Sequence, residues 1–223
     1  MIKAVVFDFD GVIANSEPLH CSAFQEVLQA AGVSLTTQEY YASYLGYDDI
    51  GVFRAVAGAR RLNWGADRIA ELVEQKAVRL ELLERERAVL FPGADAAIAR
   101  LAGALPLAIA SGARRVEIER ILGHAGLMRF FQAIVAAEDT PVSKPAPDPY
   151  RRAVSLLAAS TGQPIAPREC VAIEDSMWGL DSARAAGLRT IAVTHTYPAG
   201  SFGDVDLTID SLDALTIASV CNI

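Results

Sequence analysis

Six side chains able to do chemistry stand at or soon after short apolar runs: Asp8, Asp10, Ser111, Lys144, Glu174 and Asp175. They occur in Asp8-Phe9-Asp10-Gly11-Val12, Ala110-Ser111-Gly112, Ser143-Lys144-Pro145 and Glu174-Asp175-Ser176. Singly, each segment has an ordinary reading. Asp10-Gly11 is a turn signal, Ser111-Gly112 a loop or helix cap, and Lys144-Pro145 a place where a helix ends or is avoided. Two acids directly after an apolar strand are harder to dismiss, because buried charge is costly unless it binds something. Four such segments, in this order and each at or soon after a strand end, point to one site.

The chemistry of the set is coherent. Clustered carboxylates raise one another's pKa, and a hard dication removes that conflict. Mg²⁺ suits one or two carboxylates together with waters and phosphate oxygens. Asp8 and Asp175 are its natural ligands, supported by Glu174 and by a main-chain carbonyl near Asp10. Phosphoryl transfer needs charge neutralisation and alignment more than covalent machinery. Mg²⁺, the Lys144 ammonium, the Ser111 hydroxyl and N–H groups around Gly112 can supply it. Asp8 is then the nucleophile, forming an acyl phosphate. Asp10, two residues on along an extended segment, faces the same side and serves as general acid and base.

Something must bring these segments to one edge. Buried strands are expected at Lys3 to Phe7, Leu105 to Ala110, Ala133 to Ala137, Cys170 to Ile173 and Thr190 to Val193, with an edge strand at Leu207 to Ile209. Helical periodicity fills the gaps at 93–101, 116–125, 149–159 and 179–186. Strand-then-helix alternation implies an α/β fold, a doubly wound parallel sheet with helices on both faces. Ligands then bind at the carboxyl ends of its strands. Residues 16–87 break the rhythm with helical patterns and no strand. Ser16 is placed as the N-cap of the first stripe and Gly32 as its stop. The expected division is a catalytic core of residues 1–15 and 88–223 with an inserted helical cap at 16–87.

Composition narrows the class. The chain has 223 residues, 52% hydrophobic and 21% charged, which suits a globular protein. A formal net charge of −7 offers no footprint for nucleic acid. Cys21, Cys170 and Cys221 are scattered and odd in number, as expected of a reduced compartment. With an acid at position 8 and no long apolar run, a cytoplasmic enzyme without membrane attachment is expected, monomeric or a small homo-oligomer.

The four segments resemble the four motifs of the haloacid dehalogenase superfamily, in its aspartate-nucleophile phosphatase and phosphosugar-mutase branch. The third motif corresponds to Lys144-Pro145-Ala146-Pro147-Asp148. The resemblance spans essentially the whole chain. It implies a Rossmann-like core, a four-helix cap that opens and closes, and Mg²⁺ as cofactor. True dehalogenases of the family lack the second acid, so Asp10 argues for phosphate chemistry. Glu17-Pro18-Leu19-His20 and Lys76 resemble cap positions of β-phosphoglucomutases, which implies substrate contacts for His20 and Lys76. Packing or a solvated helix face are their ordinary alternatives. Leu45 to Ile50 resembles the specificity loop, where mutases carry a basic residue. Asp48 and Asp49 stand there instead and would repel a second phosphate. Arg114 and Arg115 either grip an anionic substrate group or cover a helix start. The expected function is Mg²⁺-dependent hydrolysis of a small phosphorylated metabolite such as phosphoglycolate, a sugar phosphate or a nucleoside monophosphate. The alternatives are a phosphosugar mutase and a non-catalytic binding module.

Overall fold

The computed structural model describes residues 1–45, 47–86 and 89–223. The chain divides into two compact units, Met1–Asn15 with Val89–Ile223, and Ser16–Ala88. The first unit is built on six parallel strands: β1 (Ala4–Phe7), β2 (Leu107–Ala110), β3 (Phe131–Val135), β4 (Cys170–Glu174), β5 (Arg189–Val193) and β6 (Leu207–Ile209). Their order is β3-β2-β1-β4-β5-β6. Every residue of β1, β2 and β4 is buried, as parallel strands covered on both faces must be. From β1 the chain builds outward through β2 and β3, then crosses to β4 on the other side of β1. The order therefore reverses between β1 and β4, and a ligand crevice forms at such a point.

Two strand starts differ by two residues from the sequence expectation, for local reasons. β2 begins at Leu107, after Pro106, which lacks a donor and instead accepts the Val5 N–H at 3.1 Å. β3 begins at Phe131, two residues early. Phe131 packs edge-on against Phe7 at 6.2 Å, and the Gln132 side chain accepts the Leu107 N–H at 2.6 Å where the register shifts.

The unit Ser16–Ala88 contains α1 (Glu17–Ala30), α2 (Thr37–Ser43), α3 (Asp49–Arg60) and α4 (Ala66–Glu86). Its core joins Phe24, Tyr40, Val52, Phe53, Val56 and Leu72. Gly32 ends α1 as expected: at φ 77° its N–H reaches the Gln29 carbonyl, and the Val33 N–H reaches that of Leu28. Ser16 holds the N-cap position, but its backbone is already helical and its side chain makes no capping bond. Asp48 has a structural role the sequence reading missed. It is the N-cap of α3, accepting the Gly51 N–H at 2.7 Å. We expect Asp48→Ala to cost about 1 kcal/mol in urea unfolding; a loss of only a tenth or two would mean the cap is not used.

The remaining helices flank the sheet: α5 (Ala94–Ala102), α6 (Arg115–His124), α7 (Asp148–Thr161), α8 (Met177–Ala186) and the short α9 (Ile217–Cys221), which periodicity did not show. Ala4, Ala108, Ala110 and Ala172 let α7 approach the sheet closely through Tyr150, Ala153 and Leu157. The segments that leave and re-enter this unit lie side by side: Ala14 bridges Leu90 antiparallel, and the Asn15 N–H donates to Val89. The expected return joint falls partly on residues 87 and 88, which lie outside the described residues, as does Gly46 of the expected specificity loop. Among the described residues no helix is long and apolar enough to cross a membrane.

Candidate active site

Asp8 is the first residue beyond β1, and its N–H donates to the Ile173 carbonyl of β4 at 2.9 Å. That bond fixes the carboxylate beside the end of β4, where Glu174 and Asp175 follow. One oxygen from each of Asp8, Glu174 and Asp175 lies within 4.8 Å of the others. Lys144 bridges the group, 2.8 Å from Asp8 Oδ1 and 2.6 Å from Glu174 Oε1. The Phe9 N–H also goes to Asp8 Oδ1, at 2.7 Å. Glu174 is fully buried and further accepts the Tyr150 hydroxyl at 2.6 Å and the Ser176 hydroxyl at 3.2 Å.

Two glycines make this approach possible. A Cβ on Gly179 of α8 would stand 2.0 Å from the Glu174 carboxylate, and one on Gly11 would stand 2.0 Å from Asp175 Oδ2. Neither position can carry a side chain while the carboxylates hold their places.

The electrostatics follow from the burial. Desolvation, the Glu174 charge and the Asp175 charge push the Asp8 carboxyl well above its ordinary range, with Lys144 pulling the other way. Burial pushes Asp175 up to about 6, with the Glu174 charge adding and a hydrogen bond from Thr196 opposing. Burial works to lower the Lys144 pKa, but the charges and hydrogen bonds of Asp8 and Glu174 outweigh it, and the ammonium persists. Burial and the neighbouring carboxylates raise Tyr150, so its hydroxyl stays protonated and donates. When all three are ionised, three carboxylates against one ammonium carry two negative charges in excess in a buried place. An all-oxygen donor set with that excess fits a hard divalent cation.

The other expected residues are distributed as follows. Phe7 pairs with Ile109 across the sheet, so Ser111 and Gly112 emerge beside Asp8 at the same edge. Ser111 Oγ accepts the Ala113 N–H at 2.9 Å, and among the described residues its own proton has no acceptor. Among the described residues nothing lies within 4 Å of where a Cβ on Gly112 would be, so its backbone is approachable. Asp10 is exposed, and its carboxylate is not one of the three grouped oxygens. The reason is local: Asp10 lies past the strand end, at the turn where Gly11 has φ 79°. Arg115 is tied to Asp139 and the Ile134 carbonyl and so helps hold the start of α6. Within the helical unit, Lys76 is 1% exposed and not a solvated face. Its ammonium lies 2.7 Å from Asp49 and 2.9 Å from His20 Nδ1, over the Phe24 ring.

Four contributors were missed. Tyr150 holds Glu174. Ser182 of α8 donates to the Ala146 carbonyl at 2.5 Å and anchors the loop carrying Lys144. Thr196 donates to Asp175 Oδ2. His195 bonds the Gly11 carbonyl at 3.0 Å and stacks on Phe91. Tyr150 and Ser182 gave no local signal, being one aromatic and one small residue on helical stripes. For His195 and Thr196 the signal was position, since polar residues soon after the carboxyl end of a strand stand where ligands gather.

Comparison with known proteins agrees with this geometry. The family model for haloacid dehalogenase-like hydrolases matches residues 2–187. Protein CbbY of Rhodobacter capsulatus is 33% identical over 98% of this chain and 97% of its own length. The fructose-1-phosphate phosphatase YqaB of Escherichia coli K12 is 31% identical over 85% of this chain and 95% of its own. Among solved structures, a CbbY variant from Rhodobacter sphaeroides in complex with xylulose-(1,5)bisphosphate superimposes with a TM-score of 0.78. It is 28% identical and covers 99% of both chains. With a family match over most of its length and the sheet order and motif positions described above, this chain belongs to the haloacid dehalogenase-like hydrolases.

Proposed function

We propose that the protein is a Mg²⁺-dependent phosphatase acting on a small sugar or polyol monophosphate through an aspartyl-phosphate on Asp8. The observation that carries the reading is the Asp8–Glu174–Asp175 group bridged by Lys144. Asp8 and Asp175, with Glu174 and a main-chain carbonyl near Asp10, would hold Mg²⁺, which when bound neutralises charge on the carboxylates and the phosphoryl group. A carboxylate oxygen of Asp8 attacks phosphorus, and the bond to the leaving oxygen breaks. Asp10 gives that oxygen its proton. Asp10, now ionised, then takes a proton from the water that attacks the acyl phosphate, releasing phosphate and regenerating Asp8. Ser111, the Gly112 N–H and Lys144 grip the transferring oxygens.

The relatives support the substrate class, since one is a fructose-1-phosphate phosphatase and another binds a pentulose bisphosphate. The charge of the helical unit favours a monophosphate. Lys76, proposed with His20 as a substrate contact, has its charge engaged by Asp49, which makes it a poor partner for a second phosphate. The same pairing weighs against a mutase, which must hold a bisphosphate.

A phosphate-release assay over fructose 1-phosphate, hexitol phosphates, phosphoglycolate, nucleoside monophosphates, xylulose-1,5-bisphosphate and β-glucose 1-phosphate tests this, with Mg²⁺ and with EDTA. We expect Mg²⁺-dependent release, fastest from a sugar or polyol monophosphate and abolished by EDTA. Conversion of β-glucose 1-phosphate to glucose 6-phosphate without release would replace this reading with the mutase. Preference for the bisphosphate would overturn the argument from Asp49.

A further inference from the structure

The loop after β5, which carries none of the four motifs, reaches the carboxylate group through His195 and Thr196. His195 is pinned twice: its ring stacks on Phe91 at 3.9 Å and 15°, and Nδ1 lies 3.0 Å from the Gly11 carbonyl. A carbonyl only accepts, so Nδ1 carries the proton of this bond. Two such restraints on one residue hold the next residue, Thr196, in register with Asp175, and its hydroxyl donates to Asp175 Oδ2. On its other side the same oxygen lies against Gly11, where no side chain fits.

Asp175 stands among like charges. Without a restraint, its carboxylate would relieve repulsion from Asp8 and Glu174 by rotating away from them, and a cation would have to reverse that rotation on binding. We propose that Thr196 is a positioning residue: its hydroxyl fixes the rotation of the Asp175 carboxylate and so sets the affinity of the site for a divalent cation. His195 anchors the loop that carries it. This rests on the Mg²⁺-dependent reading given above. It is the behaviour expected of a group that hydrogen-bonds a metal-binding carboxylate, whose loss weakens metal binding about 10- to 100-fold.

Calorimetric titration of Mg²⁺ into the metal-free full-length protein tests it with no substrate present. Thr196→Val keeps the side-chain shape and removes the donor; Thr196→Ser keeps the donor. We expect Thr196→Val to weaken Mg²⁺ binding about 10- to 100-fold while the metal-free variant stays folded by circular dichroism. Thr196→Ser should bind within about threefold of wild type, below the range for a lost contact. Wild-type affinity in Thr196→Val would overturn the proposal while leaving the Mg²⁺-dependent reading intact. Equal weakening in both variants would also overturn it, because the shape of the loop and not the hydroxyl would then matter. A wild-type protein that binds no Mg²⁺ would fail the underlying reading itself, and this inference with it.

Discussion

Asp8→Asn is expected to lower kcat by on the order of 10⁴-fold or more while leaving the protein folded. The amide is a poor nucleophile and cannot form the acyl phosphate. The geometry explains why the fold survives. The Phe9 N–H and the Lys144 ammonium both meet the same carboxylate oxygen, Oδ1. The carbonyl oxygen of an asparagine can accept both and place its amide where Oδ2 stood. Lys144 also keeps its second partner, Glu174. Stability gives an independent readout. Burial and the neighbouring carboxylates raise the folded-state pKa of Asp8. A raised carboxyl pKa means that the native state binds the proton more tightly than the unfolded chain, so this group costs stability as pH rises through and above the ordinary carboxylate range. Asparagine removes that cost. The metal-free variant should therefore melt no lower than wild type at neutral pH, with the difference closing as pH falls toward that range. Turnover within tenfold of wild type would end Asp8's role as nucleophile. A lower melting temperature at neutral pH would mean that the Lys144 bridge outweighs the crowding of charge.

What the sequence allowed to be read, and what it hid, divides by range. Asp8, Ser111 and Glu174 were legible because each follows an apolar run buried on both faces, and a doubly wound sheet delivers the ends of such runs to one edge. Gly32 was legible because a helix stop is a local event. Ser16 was legible as a position only: it stands at the N-cap of α1, but the chain is already helical there and its side chain makes no capping bond. The partners of the carboxylates were hidden. Tyr150 looks like one apolar position on an amphipathic helix, and only the packing of α7 on the sheet turns its hydroxyl to Glu174, 24 residues away. The bond from His195 to Gly11 spans 184 residues, and nothing in either segment announces the other. By charge alone Asp48 and Asp49 form one acidic pair. Folding separates them, giving one to the start of α3 and the other to Lys76.

Asp10→Ala is expected to cost about 10²- to 10⁴-fold in turnover of a sugar phosphate, yet to leave Mg²⁺ affinity nearly unchanged. Both halves follow from where Asp10 sits. It is exposed, past the strand end, and its carboxylate is outside the group formed by Asp8, Glu174 and Asp175. Any part it takes in holding the cation runs through its main-chain carbonyl, which alanine retains. Its separation from that crowd also suits a group that must gain and lose a proton during each cycle. The leaving group supplies the sharper test. A sugar alkoxide is a poor leaving group and needs a proton as the bond breaks, whereas a nitrophenolate leaves without one. In the variant, the first turnover of p-nitrophenyl phosphate should therefore stay fast. The second half of the cycle still needs a base to activate water, so the acyl phosphate should accumulate and a burst of nitrophenolate should precede a slow steady state. With the sugar phosphate, attack itself is slowed and no burst should form. Equal losses on both substrates, with no burst on either, would mean that Asp10 orders the turn around Gly11 and does not move protons. Unchanged turnover of the sugar phosphate would remove it from the mechanism.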